Sequence, residues 1–500
     1  MSAAPSPAGA VSIGSSTQLL AFAFVILLVG SLTWWRTRAS HAHSDNEDRE
    51  FFLAGGSLTW VYVAGSITIT NLGTEQLVGA NGNQMLLLAW WELAAVFGLL
   101  ILAFVFVPIY YRYQCVTTTE LLERRYNDDR IRTMISTLFL FGNLVIAMPS
   151  ALYTGALFLR SVFGIDLPLV MVGFCIAALG AGYGVLGGLR AVAISETFSG
   201  ASLLLICLLL VFLALQAIGF DFSGIPAERL TLIGDSNSPI PWHTLLTGML
   251  FIQIFYWSTN QSITQRAMAS PSVREAQKGV LAAAVIRLMI VPAIVVLPGI
   301  VAYKLYGNVH DAAFGKLVGN ILPGWLAGTF AAILVTSVAT HFVAILNSSA
   351  ALYICDIHQK YVNPQASVRT LNIAASAVMI GIAVMLIPVY ANAVSIINLL
   401  QQLNGLFSMP ILSAFIVGLL FRDVDARAAI AAVLFGISLY AYFTFVHAPF
   451  GLHYIHLMFV TLWSSILFSL AVNRFVFGNR ASLVRFWQRD EPAKSNLTSG

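Results

Sequence analysis

Five hundred residues, 58% of them apolar and only 10% charged, leave too little polar surface to clothe a water-soluble fold. A soluble domain carries about a quarter charged residues, so lipid must solvate this chain as an all-α polytopic membrane protein. The net charge of +4 is no nucleic-acid footprint, because the basic residues sit in short connections between apolar runs.

The first apolar run, Leu19–Trp35, has no basic stretch before it and is followed by Arg36 and Arg38. A secretory signal carries its charges the other way round, so this run reads as a retained helix with its N-terminus outside. Twelve further runs start near residues 58, 85, 131, 166, 190, 243, 277, 314, 367, 396, 427 and 452. Each approaches the roughly 20 apolar residues a bilayer requires, giving thirteen spans. With that count, all but five of the 26 basic residues fall on the cytoplasmic side: Arg160, Arg229, Lys304 and Lys316 lie outside, and Arg287 lies within a helix. This segregation sets the N-terminus outside and the C-terminus in the cytoplasm. The longest connections, Phe220–Trp242 and roughly residues 37–57, are too short for an enzyme domain. Cys115, Cys175, Cys207 and Cys355 lack CxxC spacing and read as buried small hydrophobes.

Ionisable groups inside a bilayer cost about 2.5–3.5 kcal/mol each on insertion scales and mark pathways. Glu75, Glu92, Glu196, Arg287 and His341 fall in helices. They are sparse, mixed in sign and spread over five helices, unlike the charged rings of a channel. The second helix carries three glycines, several hydroxyls, Asn71, Glu75 and Gln76 over residues 64–79, and the seventh has a polar core over Phe255–Ser262. Both are poor continuous helices. Breaks there expose backbone carbonyls and half-helix ends, as in transporters built from inverted repeats. Ordinary packing through small residues and amides is the alternative.

The residues themselves resemble a known family. Phe51-Phe-Leu-Ala-Gly-Gly-Ser57, Thr70-Asn-Leu-Gly-Thr-Glu-Gln-Leu-Val-Gly79, Gly187-Gly-Leu-Arg-Ala191, Tyr256-Trp-Ser-Thr-Asn-Gln261, Glu275-Ala-Gln-Lys-Gly279, Leu346-Asn-Ser348 and Gln402-Leu-Asn-Gly405 occur in order. Together they are similar to the sodium:solute symporter family, in its bacterial sugar-type branch. The resemblance implies a LeuT-like fold with one preceding helix, a 5+5 inverted repeat and two following helices. It divides the chain into a tail, helix and loop (1–50), a ten-helix core (51–421, repeats about 58–219 and 243–421), two helices (422–478) and a cytoplasmic tail (479–500).

It also implies Na⁺-coupled symport of a sugar such as a hexose or polyol. The sugar contacts then fall on Gln76, Glu92, Gln253, Arg287 and Gln401, with Tyr256 as an aromatic gate, Trp91 and Trp257 as further walls, and Asn71 beside them. Amides and carboxylates take sugar hydroxyls, and ring planes cover the apolar face. Arg287 reads equally as a counter-ion to Glu75 or Glu92. Three features depart from the sugar symporters: a shorter stretch between Gln76 and Glu92, Ala95 where a serine is expected, and arginine in place of lysine at 287.

For sodium the resemblance implies the carbonyls of Ile69 and Leu72 with Ser337, Thr340 and His341. Oxygen donors suit a hard cation; an imidazole does not. Glu196 falls where the family has an aspartate on the ion exit path. Glu196 and His341 are therefore expected to form a proton-sensitive coupling pair, with H⁺ as the alternative to Na⁺. An organic acid or amino acid is the rival substrate, since Arg287 could hold a carboxylate. A transporter-fold sensor would need a signalling domain that the short tail cannot hold. No HExxH, GxSxG or catalytic carboxylate pair points to an enzyme. The expected setting is the lipid of a bacterial inner membrane.

Overall fold

With no water in the hydrocarbon core, a backbone must satisfy its own hydrogen bonds, and long apolar runs become helices. The computed structural model describes residues 16–38, 56–70, 72–164, 166–392, 396–447 and 449–484, without the side chains of 29–30, 32–38, 69–70, 183–199 and 450. Among the described residues, nine helical stretches are long and apolar enough to cross a membrane. In chain order the main helices are α1 (Ser16–Arg38), α2 (Trp60–Thr70), α3 (Thr74–Gly82), α4 (Leu86–Tyr113), α5 (Thr118–Tyr126), α6 (Asp129–Phe163) and α7 (Leu169–Ala217). There follow α8 (Gly248–Ser258), α9 (Gln261–Met268), α10 (Val273–Tyr306), α11 (Ala313–Ile321), α12 (Gly324–Tyr361), α13 (Val368–Tyr390), α14 (Ile396–Leu420), α15 (Ala426–Phe445) and α16 (Tyr454–Phe475).

The two expected breaks are present. α2 ends at Thr70 and α3 starts at Thr74, with Gly73 extended at the N-cap. α8 ends at Ser258 and α9 starts at Gln261, its first turn capped by Asn260, whose side chain accepts from the Ser262 backbone N–H at 2.9 Å. Buried Arg266 links the two broken helices by donating from Nε to Ser66 Oγ at 2.7 Å.

One element differs from expectation. The spans expected from residues 166 and 190 belong to a single helix, the 49 residues of α7. Glycines in that region weaken a helix by about 1 kcal/mol each but do not end it, and no proline intervenes. At 1.5 Å per residue α7 runs roughly 74 Å, well over twice a bilayer core, so one straight passage cannot hold both apolar ends.

α12 is the spine of the molecule: every residue from Phe330 to Leu352 is buried. A helix apolar on all sides belongs in such a place. Outer helices instead present large apolar side chains, among them Phe104, Met289, Met385 and Leu467. α4 and α8 meet at Gly98, where an added Cβ would stand 2.8 Å from both the Gln253 carbonyl carbon and Trp257 Cδ1. This close approach fixes how α8 presents its polar side chains.

Candidate functional site

Around the two breaks, α3, α4, α6, α8, α9, α12 and α14 enclose a cavity of about 160 Å³. α3 supplies Glu75 and Gln76, α4 Trp91, and α8 Gln253 and Tyr256. Asn260 and Ser262 come from the second break, His341 and Ile345 from α12, and Gln401, Asn404 and Phe407 from α14. α6 contributes residues between Leu138 and Ser150, including a π-turn over Asn143–Ala147 whose Asn143, Ile146 and Ala147 face the same space. π-turns recur at functional sites because the extra residue re-aims neighbouring side chains.

The structure thus gathers Gln76, Trp91, Gln253, Tyr256 and Gln401 around one space. Glu92, Arg287 and Trp257 do not line it. They form a layer behind it, in which Arg287 Nη2 pairs with Glu92 Oε2 and both side chains are shut off from solvent. Arg287 also donates to the Thr68 carbonyl at 3.1 Å, and its guanidinium lies 4.6 Å from the Trp257 ring centroid. Of the two counter-ions the sequence allows for Arg287, Glu92 is the one it meets.

Hydrogen bonds tie this layer to the cavity wall. Gln76 Nε2 donates to Glu92 Oε1 at 2.5 Å. Gln253 Nε2 donates to the Trp91 carbonyl, and Trp257 Nε1 donates to Gln253 Oε1, both at 2.9 Å. Tyr256 packs edge-on to Trp257, with centroids 5.4 Å apart.

Ser337, Thr340 and His341 are buried on α12. Thr340 Oγ1 donates to the Ser337 carbonyl at 3.0 Å, while Ser337 Oγ has no partner. His341 Nε2 lies 2.9 Å from Glu75 Oε1; Glu75 Oε2 and His341 Nδ1 are buried without partners. Leu72 sits buried in the first break. The Ile69 backbone belongs to the last turn of α2. Asn71 and the Glu196 side chain lie outside the described residues, so the described partner of His341 is Glu75. Among the described residues no group of three or more His, Cys, Asp or Glu is arranged to hold a metal ion.

Sequence reading did not single out Asn143, Ser150, Asn260 or Asn404 as site residues. Asn143 was findable as an amide inside an apolar helix, and Asn260 and Asn404 lie within the motifs at 256–261 and 402–405.

The description "Sodium:solute symporter family" matches residues 51–436. The chain belongs to the sodium:solute symporter family. It is 34% identical over 484 residues to the uncharacterized symporter YidK of Escherichia coli (strain K12), covering 92% of this chain and 84% of that one. It is 28% identical over 523 residues to the sodium/glucose cotransporter of Vibrio parahaemolyticus, covering 97% and 93%. With the mouse sodium/myo-inositol cotransporter 2 it shares 27% over 469 residues, covering 84% and 68%. A Na⁺-coupled sialic acid symporter, solved substrate-bound and outward-open, superposes with a TM-score of 0.77 at 17% identity, covering 95% and 100%. At that identity the likeness speaks for the fold alone. The nucleobase-cation symporter Mhp1, in a closed conformation, follows at 0.56 and 17%, covering 85% and 94%. The fold is LeuT-like, and the chain is a multi-pass membrane transporter rather than an enzyme.

Proposed function

We propose that this symporter moves an uncharged polyhydroxy solute, a hexose or a related polyol, together with Na⁺ by alternating access. The carrying observation is the cavity wall. Gln76, Gln253, Gln401, Asn143, Asn260 and Asn404 offer amides, Trp91 and Tyr256 offer ring surface, and among the described residues no Lys or Arg lines the wall. Amides pair with hydroxyls as both donor and acceptor, and ring faces cover the C–H side of a sugar. The glucose and myo-inositol named for two relatives have this chemistry. An organic acid or amino acid is the weaker reading, since Arg287 is already paired.

The cation donors fit a hard ion. Ser337 Oγ and Glu75 Oε2 are buried oxygens with unspent acceptor capacity beside the first break. One charge crossing 100 mV supplies about 2.3 kcal/mol, ample to drive uptake. A proton-linked cycle is the second reading, favoured by the imidazole of His341 standing against Glu75 at 2.9 Å. In this account residues 51–421 form the transport core and 422–478 two accessory helices, bathed in the lipid of a bacterial inner membrane. The N-terminus lies outside and the C-terminus in the cytoplasm.

The test is uptake of labelled glucose and myo-inositol into proteoliposomes under an inward gradient of Na⁺, of H⁺, or of neither. Accumulation with Na⁺ alone supports the proposal. Accumulation with H⁺ alone transfers coupling to the second reading, and absence of uptake under every gradient rejects the solute class.

A further inference from the structure

Pro298 lies inside α10 and carries no N–H, so the Ile294 carbonyl one turn earlier loses its helical donor. At membrane depth a neighbouring helix has to satisfy such a carbonyl. Asn81 of α3 does so. Its Nδ2 donates to the Ile294 carbonyl at 3.3 Å, and its Oδ1 accepts from the Gly299 backbone N–H at 2.7 Å. One side-chain amide thus stands beside the proline as a second peptide group would, offering both a donor and an acceptor. Nδ2 also donates to the Leu77 carbonyl at 2.7 Å, which steadies the side chain on its own helix. The two backbones close up at the same point: a Cβ added at Gly299 would stand 2.9 Å from Asn81 Cα. Asn81 is fully buried, behind the described cavity wall.

The element that depends on this contact is α3. It has nine residues and starts at an open break, so no continuous helix holds it from behind. Its first turn bears Glu75 and Gln76 on the cavity, and Gln76 lies only five residues, about 7.5 Å, from Asn81. Gly79 and Gly82 bring α3 close to Ile397 and Asp311 by packing alone, and Thr74 shares a hydroxyl contact with Thr154 at 2.8 Å. Asn81 is what bonds α3 to α10.

We propose that Asn81 is a positioning residue of the transport cycle: its amide fills the gap that Pro298 leaves in α10, and so seats α3, with Glu75 and Gln76, at the cavity wall. The proposal goes beyond the polyol reading and does not rest on it. Asn81 touches neither solute nor ion and acts through the helix that presents them.

The seat and the fold are separable, because Pro298 can be changed. Asn81→Ala frees α3 and also orphans the Ile294 carbonyl, so the full-length protein in detergent should melt lower than wild type. Asn81→Ala/Pro298→Ala returns a helical N–H to that carbonyl and should recover at least about half of the lost melting temperature. It does not return the bond between α3 and α10. Amide hydrogen exchange over residues 74–82, read by mass spectrometry, should therefore be at least about fivefold faster than wild type in both variants, with residues 330–352 unchanged. KM for glucose or myo-inositol should rise about threefold or more in both, whether or not stability is recovered. The double variant keeps the test open if Asn81→Ala alone is too unstable to purify. Wild-type exchange over 74–82 in the double variant, or exchange that recovers together with the melting temperature, overturns the positioning role. A wild type that carries neither solute rejects the polyol reading, while the exchange over 74–82 still decides the seat.

Discussion

Glu75 Oε1 lies 2.9 Å from His341 Nε2, joining the first turn of α3 to the middle of α12 across 266 residues of sequence. The contact ties the acid to the helix that carries Ser337 and Thr340, the residues on which the family resemblance seats sodium. A carboxylate there has one oxygen on the imidazole and one still unpartnered.

Replacing Glu75 by Gln removes the anionic oxygen that a cation in this region would take. Interactions with charged groups are worth about 1.5–3 kcal/mol, so the Na⁺ concentration for half-maximal uptake should rise about tenfold or more. A Na⁺ titration of uptake reads it directly. An unchanged half-saturation would remove Glu75 from the ion site.

Gln253 spends both ends of its amide inside the protein, on the Trp91 carbonyl and on Trp257 Nε1. Gln253→Ala leaves both groups unpaired at about 1–3 kcal/mol each. Lower thermal stability and a higher KM for the solute should appear together. Tyr256→Phe keeps the ring on the cavity and should retain uptake, whereas Tyr256→Ala should raise KM. Equal behaviour of the two Tyr256 variants would contradict its role as a wall.

At one end of the bundle, Asp356 is fully buried and accepts from Thr117 Oγ1 at 3.0 Å, Arg132 Nε at 2.7 Å, and the hydroxyls of Thr119 and Ser136. It thereby pins α5 and α6 to the end of α12. Asp356→Asn breaks a buried ion pair, at a cost of about 3–5 kcal/mol. The variant should melt several degrees below wild type in detergent; an unchanged melting temperature would mean that the cluster does not hold these helices.

His453 caps α16, its Nδ1 accepting weakly from the Ile455 backbone N–H at 3.4 Å. Burial, followed by the nearby His456 and His243, holds its pKa down, from 6.5 to about 4. Between those two values the unfolded chain binds more proton than the folded one, so stability falls as pH drops through that window and levels off below it. His453→Asn keeps a capping side chain without the titration, and its melting temperature should fall less between pH 7 and pH 4. Parallel pH profiles would show that His453 contributes nothing to acid sensitivity.

Much of this was legible in the sequence because the cues are local. Gly73 and the hydroxyls before it, and the run Ser258–Asn260, announce the two helix breaks within a few residues of where they fall. The long-range pairings were less legible. Nothing near Arg287 says whether it meets Glu75, Glu92 or a solute; only the packing of α10 on α2 and α4 selects Glu92. His341 was expected to meet Glu196, but its described partner is Glu75, because the first break turns that carboxylate toward α12. The continuity of α7 was illegible too, since glycine lowers helix stability without terminating it.

Solute-driven ²²Na⁺ entry is the measurement that reaches the central claim most directly. Proteoliposomes without a Na⁺ gradient would receive an inward gradient of myo-inositol or glucose, and tracer Na⁺ inside would be counted. The account predicts that Na⁺ is carried in with the solute, and that Ser337→Ala weakens the coupled flux. Entry of solute with no accompanying Na⁺ would contradict it.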